Sequence, residues 1–347
     1  GLMNGLLEAN GFGITTLIDA SVEDWMLDGY ARAEAAGALT VRVHGAVEVV
    51  PGDPDNLSHI EALRDGYASD RIGVDAAKFF LDGILESQTA AMLEPYTDGT
   101  NGILNFSEEE LWSAALELDA AGFQLHAHTI GDGAVRQFLD AVEEVARVNG
   151  SRDRRPLLAH LEVIDPDDIP RFAALGAYAD FQPLWAYPDP YITELTWPVI
   201  GEERSEWLYP MGAVLEAGGT LVAGSDWSVS SMNPFEAIEV AVTRQDPWID
   251  GGDVLTPQHR IDRTAALRAY TSEGAKASFS DALLGSLEVG KRADFIRLDR
   301  DPFTIDAYEL SDVQVQETWL DGDRIFVRTG AEPEKPRARR AHTDGCR

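Results

Sequence analysis

Five side chains stand near the ends of short apolar runs: Lys78 in GVDAAKFFLDG, His126 and His128 in FQLHAHT, His160 in PLLAHLEV and Asp226 in TLVAGSD. If those runs are parallel strands, their C-terminal ends converge on one face and bring these groups together. Two histidines and an aspartate, His128, His160 and Asp226, then make a donor set suited to a divalent ion such as zinc. His126 lies two residues from His128 and so faces the same side of the strand. It reads as a substrate contact, a supporting group or a competing ligand. Taken singly, each residue also has an ordinary structural role. A strand histidine can be a core residue hydrogen-bonded to backbone. Asp226 can cap the following turn, and Lys78 can thread its head to solvent. The joint occurrence at successive strand ends favours a site.

The elements that must hold these groups are legible as a series. Strand-like runs occupy 14–19, 39–49, 73–81, 123–129, 156–163, 178–184 and 220–226, and helical patterns lie between them. The segment 107–121 opens with a serine cap and an acidic first turn, and 134–148 is a second amphipathic helix. Seven strands in alternation with helices mean a parallel α/β fold, as a TIM-type barrel or a doubly wound sheet. No G-x-G-x-x-G follows the first strand, since GFGITT lacks the third glycine. Residues 185–211 form a long connection rich in tryptophan and tyrosine, expected either to cover a pocket, with Trp185 against substrate, or to pack against the barrel rim. After Leu283 short β-like runs alternate with Gly/Asp turns, and from Thr329 the chain becomes polar and rich in Pro and Arg. The expected division is a barrel over 1–282, a small β portion over 283–328 and a disordered tail over 329–347.

Composition narrows the function classes. Sixty Asp and Glu stand against 28 Lys and Arg, a formal charge of −32 in 347 residues. That excess disfavours nucleic acid or an anionic membrane as partner, because both call for basic patches. No apolar run approaches the ~20 residues of a membrane-spanning helix, and a cytoplasmic location is expected. Only Lys78, Lys276, Lys291 and Lys335 are lysines, so the basic residues are nearly all arginine. Few lysines under a large acidic excess point to a halophile's cytoplasm, the alternative being an Arg-rich protein of a GC-rich mesophile. The one cysteine, Cys346, excludes an intrachain disulfide and a cysteine zinc site.

The segments AAKFFLDGILESQTAAMLEPYTD, HAHTIGDGAV, LLAHLEVID, FQPLW, AVLEAGGTLVAGSDWSVSSMNPFEAIEVAVTR and LGSLEVGKRADFIRLDRDPF carry a specific resemblance. In order and spacing they resemble the amidohydrolase superfamily, and within it the YtcJ-like amidohydrolase 3 group, from about residue 14 to 327. The resemblance implies a (β/α)8 barrel with a small β-sandwich built from both chain ends. It implies one or two divalent metal ions, zinc by expectation, held by His128, His160 and Asp226. Lys78 falls where the superfamily often has an N-carboxylated lysine bridging two metals. A lysine must be neutral to react with CO2, and burial in an apolar strand favours that form. The implied reaction is hydrolysis of a non-peptide C–N bond in a small N-acyl or N-substituted amide by activated water. Asp226 would carry the proton to the leaving amine, and His160 or His126 would steady the developing oxyanion. A ring amide or an ester is a further substrate reading, and self-association into a homo-oligomer is compatible with it.

Two departures qualify the resemblance. The superfamily's first strand carries an H-x-H pair of ligands, and ITTLID matches the family's second strand instead. Only seven of eight barrel strands are then present, and a gap is expected between the ITTLID and TLVAGSD strands, with the missing strand encoded upstream. The family's S-R-T-A loop here reads Ser87-Gln88-Thr89-Ala90, so Gln88 replaces an arginine as the substrate contact. The missing ligands favour a competing reading, a catalytically impaired or non-catalytic barrel acting as a binding or regulatory protein.

Overall fold

A computed structural model describes residues 1–330 and the backbone of 338–339. Seven strands form one parallel sheet: β1 (Thr16–Asp19), β2 (Arg42–Glu48), β3 (Ile72–Phe80), β4 (Gln124–Thr129), β5 (Leu157–His160), β6 (Tyr178–Phe181) and β7 (Thr220–Ala223). They pair strictly in chain order, β1 to β7. Among the described residues no pairing joins β1 to β7, so the sheet is an open part of a barrel, as the strand count requires. Both edge strands are short, four residues each.

Helices cover the outer face between strands. α1 (Leu2–Gly11) precedes β1, and α2 (Asp24–Ala35) and α3 (Asn56–Tyr67) follow β1 and β2. α4 (Glu108–Ala120) begins at Ser107, whose hydroxyl accepts from the Glu110 amide while the Glu110 carboxylate accepts from the Ser107 amide. α5 (Asp132–Asn149) packs its apolar stripe, including Val135, Phe138, Leu139 and Val142, under the sheet. Phe79 of β3 meets Phe106 and Phe138 there at centroid distances of 5.7 and 6.2 Å. A separate inner layer, Leu157, Val222 and Ala277 with Ile18 and Tyr178, fills the barrel below the strand ends. Gln124 closes that end by donating to the Arg155 and Ala277 carbonyls.

The segment 185–211 is more regular than an expected loop. It holds a 3-10 turn at Pro183–Trp185, a π-helical turn at Tyr191–Thr196 and short helices at Trp197–Ile200 and Glu202–Ser205. Beyond the barrel, strands Phe295–Leu298, Val315–Leu320 and Asp323–Val327 make a small antiparallel sheet. It is tied to the barrel through Arg42, which donates to Asp294 and Asp321. Nearly all of the expected disordered tail, 329–347, lies outside the described residues. None of the described helices is long and apolar enough to cross a membrane.

Candidate functional site

Strand register brings the chemistry-bearing residues to one end of the barrel. Lys78 of β3 pairs with His126 of β4, and His128 pairs with Ala159 of β5. Lys78 is 2% exposed and lies 5.3 Å from the Phe80 ring centroid, two residues further along the same face. Burial pushes its ammonium down to about 8, although Asp180 and Asp226 pull the other way. Asp180 sits on β6 opposite Val222 of β7. Its own burial pushes the carboxyl up to about 7, with Lys78 opposing and Asp226 adding to the rise.

His128 and His160 meet edge to face at 4.5 Å between ring centroids. Strand alternation would turn His160 to the outer face, since Leu157 and Ala159 share the inner one. Positive φ at His160 (80°) and Leu161 (54°) ends the strand and brings the ring back to the mouth. There Nδ1 of His160 bonds Gln182 Oε1 at 2.8 Å, and Trp185 stacks on the ring at 5.6 Å with 6° between planes. Nδ1 of His128 bonds Asp82 Oδ1 at 3.0 Å. The pattern leaves Nε2 of each ring outside these contacts, the arrangement of imidazoles that ligate through Nε2. His126 is 1% exposed, and both of its ring nitrogens are buried without a partner among the described residues. Burial holds it well below the usual imidazole range, helped by Lys78, His160 and His128.

The remaining expected groups sit at the rim. Asp226 follows β7 on an exposed turn, at φ 50°, with electrostatic reach to Lys78 and Asp180. Gln88, at φ 55°, faces Asp98, its amide nitrogen donating to that carboxylate at 2.8 and 3.0 Å in the orientation that satisfies both groups. The structure therefore gathers Lys78, His126, His128, His160 and Trp185 in the mouth and directs Gln88 to a neighbouring loop.

The donor chemistry of the mouth suits a divalent ion, with three imidazoles, one of them without a partner at either ring nitrogen among the described residues. The count does not. Among the described residues no three His, Cys, Asp or Glu side chains are grouped closely enough to hold a metal ion. The expected set of His128, His160 and Asp226 is not such a group, and these residues alone do not fit a complete metal site.

Three carboxylates in or beside the mouth escaped the sequence reading: Asp82, Asp180 and Glu162. Asp180 shares the inward face of β6 with Tyr178, a period-two relation available in YADF, yet a single strand aspartate reads as solvent-facing. Glu162 is 4% exposed and pushed up to about 8 by burial and by Glu86 nearby. Its Oε2 has no hydrogen-bond partner among the described residues.

The sequence pattern of an amidohydrolase family model matches residues 2–326. The chain belongs to the amidohydrolase family. Among curated relatives of this family member, the protein LONG AFTER FAR-RED 3 of Arabidopsis thaliana is 30% identical over 328 residues. That match covers 90% of this chain and 55% of the relative. The N-substituted formamide deformylase of Arthrobacter pascens is 28% identical over 330 residues, 92% of this chain and 58% of that enzyme. An uncharacterized metal-dependent hydrolase from Pyrococcus furiosus superposes with a TM-score of 0.74 at 28% identity, over 87% of this chain and 60% of that one. The chain thus spans somewhat more than half the length of the relatives it matches.

Proposed function

We propose that the mouth is the histidine–lysine–aspartate face of an amidohydrolase site of YtcJ-like type, for a C–N bond in a small N-acyl or N-substituted amide, and that this 347-residue chain by itself is catalytically impaired. The observation that carries this reading is the pair His128 and His160, each held at Nδ1 by its own partner, while no three His, Cys, Asp or Glu among the described residues are grouped so as to hold a metal ion. Side chains fixed in this way serve ligation or substrate contact rather than packing. The chain's own groups retain the ability to bind. Trp185 offers a flat face beside His160 for an acyl or aryl group. Asp226, exposed at the rim, would take a proton from water and pass it to a leaving amine. The zinc that the resemblance implies would need ligands beyond those in hand, and no step is assigned to it. The barrel over 1–282, the β portion over 283–328 and a cytoplasmic setting belong to the same proposal.

The test is metal content and turnover together. After loading with zinc chloride and dialysis, the purified chain is expected to retain well under one zinc per molecule. It is expected to hydrolyse no member of a panel of N-formyl and N-acetyl amines above the buffer rate. Stoichiometric retained zinc with turnover would overturn the impaired reading.

A further inference from the structure

Asp82 lies two residues beyond the end of β3, in the sequence Leu81-Asp82-Gly83. Such an aspartate ordinarily marks a turn at the surface. Here its side chain is fully enclosed. Its Oδ1 accepts from the Ile130 amide at 3.1 Å and meets His128 Nδ1 at 3.0 Å. Its Oδ2 accepts from the Gly131 amide at 2.8 Å and the Ala91 amide at 3.1 Å. Both oxygens are thus committed, and three of the four partners are backbone N–H groups that can only donate. With three amides donating into them, both carboxyl oxygens act as acceptors. His128 must then supply the fourth donor.

We propose that Asp82 is a positioning residue: it holds His128 as the Nδ1–H tautomer and fixes the ring so that a bare Nε2 lone pair faces the mouth. The three amides come from the loops after β3 and β4, and this arrangement fixes the carboxylate itself. The Gly133 amide donates to the Ala91 carbonyl at 2.9 Å, locking the two loops together. Glycine at 131 permits this approach, since a Cβ there would come within 2.1 Å of the Ala91 oxygen. The carboxylate therefore cannot rotate away from His128 without vacating two or more amides and leaving those buried donors unpaired. The proposal concerns a proton on a ring. It stands or falls separately from the hydrolase reading, because turnover is not needed to observe it.

The tautomer can be read on the full chain, labelled with 15N-histidine, by two-bond 15N–1H correlation. The His128 signals are those lost in His128→Gln. The expected result is a single neutral form protonated at Nδ1 and bare at Nε2. Asp82→Asn presents an amide donor to at least one of the three backbone donors, and is expected to replace the single form with a mixture or with the Nε2–H form. If Asp82→Asn fails to fold, the unmodified chain still decides. An Nε2–H ring at His128 in that chain overturns the proposal. So does an Asp82→Asn spectrum that folds and leaves the His128 tautomer unchanged, since Asp82 would then serve only the loops.

Discussion

Glu162 follows the mouth residue His160 by two positions, and its carbonyl accepts from the Tyr209 amide at 2.8 Å. Its side chain is buried, and its carboxyl is raised from 4.5 to about 8, by burial first and then by Glu86, with a Tyr209 hydrogen bond opposing. The folded chain therefore binds this proton more tightly than the unfolded chain does. Stability from the protonated form is fully present below about pH 4.5 and is lost as pH rises through about 8, with a slope of up to about 1.4 kcal/mol per pH unit. Glu162→Gln keeps the shape and removes the titration. Urea unfolding at several pH values between 5 and 8.5 should show wild-type stability falling relative to the variant. Parallel curves would mean that the carboxyl ionises freely in the fold. The same physics explains what was legible at this scale. Lys78, His126, His128 and His160 stand out because cationic or imidazole groups near the ends of apolar runs are unusual. Asp82, Asp180 and Glu162 are acids in a sequence with sixty acids. Nothing local in FLDG, YADF or HLEV separates a buried carboxylate from a solvated one. Only the tertiary arrangement of amides and neighbours does so.

The loops after β3 and β4 touch backbone to backbone, and at that scale glycine is the decisive residue. At Gly131 a Cβ would lie 2.1 Å from the Ala91 carbonyl oxygen and 2.7 Å from its carbon, both backbone atoms that cannot swing aside. Gly66 in α3 is the contrast, with nothing within 4 Å of its Cβ position. Gly131→Ala is expected to destabilise the chain by about 1–3 kcal/mol through overpacking. Gly66→Ala should be neutral or should stabilise by up to about 1 kcal/mol through helix propensity. Thermal unfolding of the two variants side by side checks this, and equal melting temperatures would deny the loop contact its role. Element boundaries were legible where period and caps agree. The helices expected at 107–121 and 134–148 form at Glu108–Ala120 and Asp132–Asn149. The strand expected over 220–226 stops at Ala223, because Gly224 and the positive φ of Asp226 turn the chain out of the sheet. The helical turns within 191–205 carried no readable pattern. Prolines at 188, 190 and 198 break any period, and packing against neighbouring loops decides their conformation.

At the scale of the whole molecule, parallel strand order and an unclosed sheet followed from counting seven strand–helix units, while the surface is governed by charge. Sixty acidic residues in 347 cannot all find basic partners among 28. Several of the arginines are drawn into shared clusters. Arg171 reaches Asp140, Glu143 and Asp168 together. Arg42, Arg71 and Arg292 converge on Asp321 where the small sheet meets the barrel. Added salt acts on two opposing terms. It weakens the exposed pairs, each worth about 0–1 kcal/mol at the surface. It also screens the repulsion among the acids left over, as the Debye length falls from about 10 Å at 0.1 M to about 3 Å at 1 M. The buried Arg154–Asp119 contact, at 9% and 1% side-chain exposure, is largely shielded from this screening. With a net charge of −32 the repulsive term dominates. The melting temperature is therefore expected to rise by several degrees between 0.1 and 1 M KCl, with most of the rise below about 0.5 M, where the Debye length changes fastest. Potassium chloride is the appropriate salt, because a strongly excluded anion such as sulfate would stabilise most proteins regardless of charge. A melting temperature that stays flat or falls over this range would show that the ion-pair clusters outweigh the repulsion, and would remove the halophile reading of the composition.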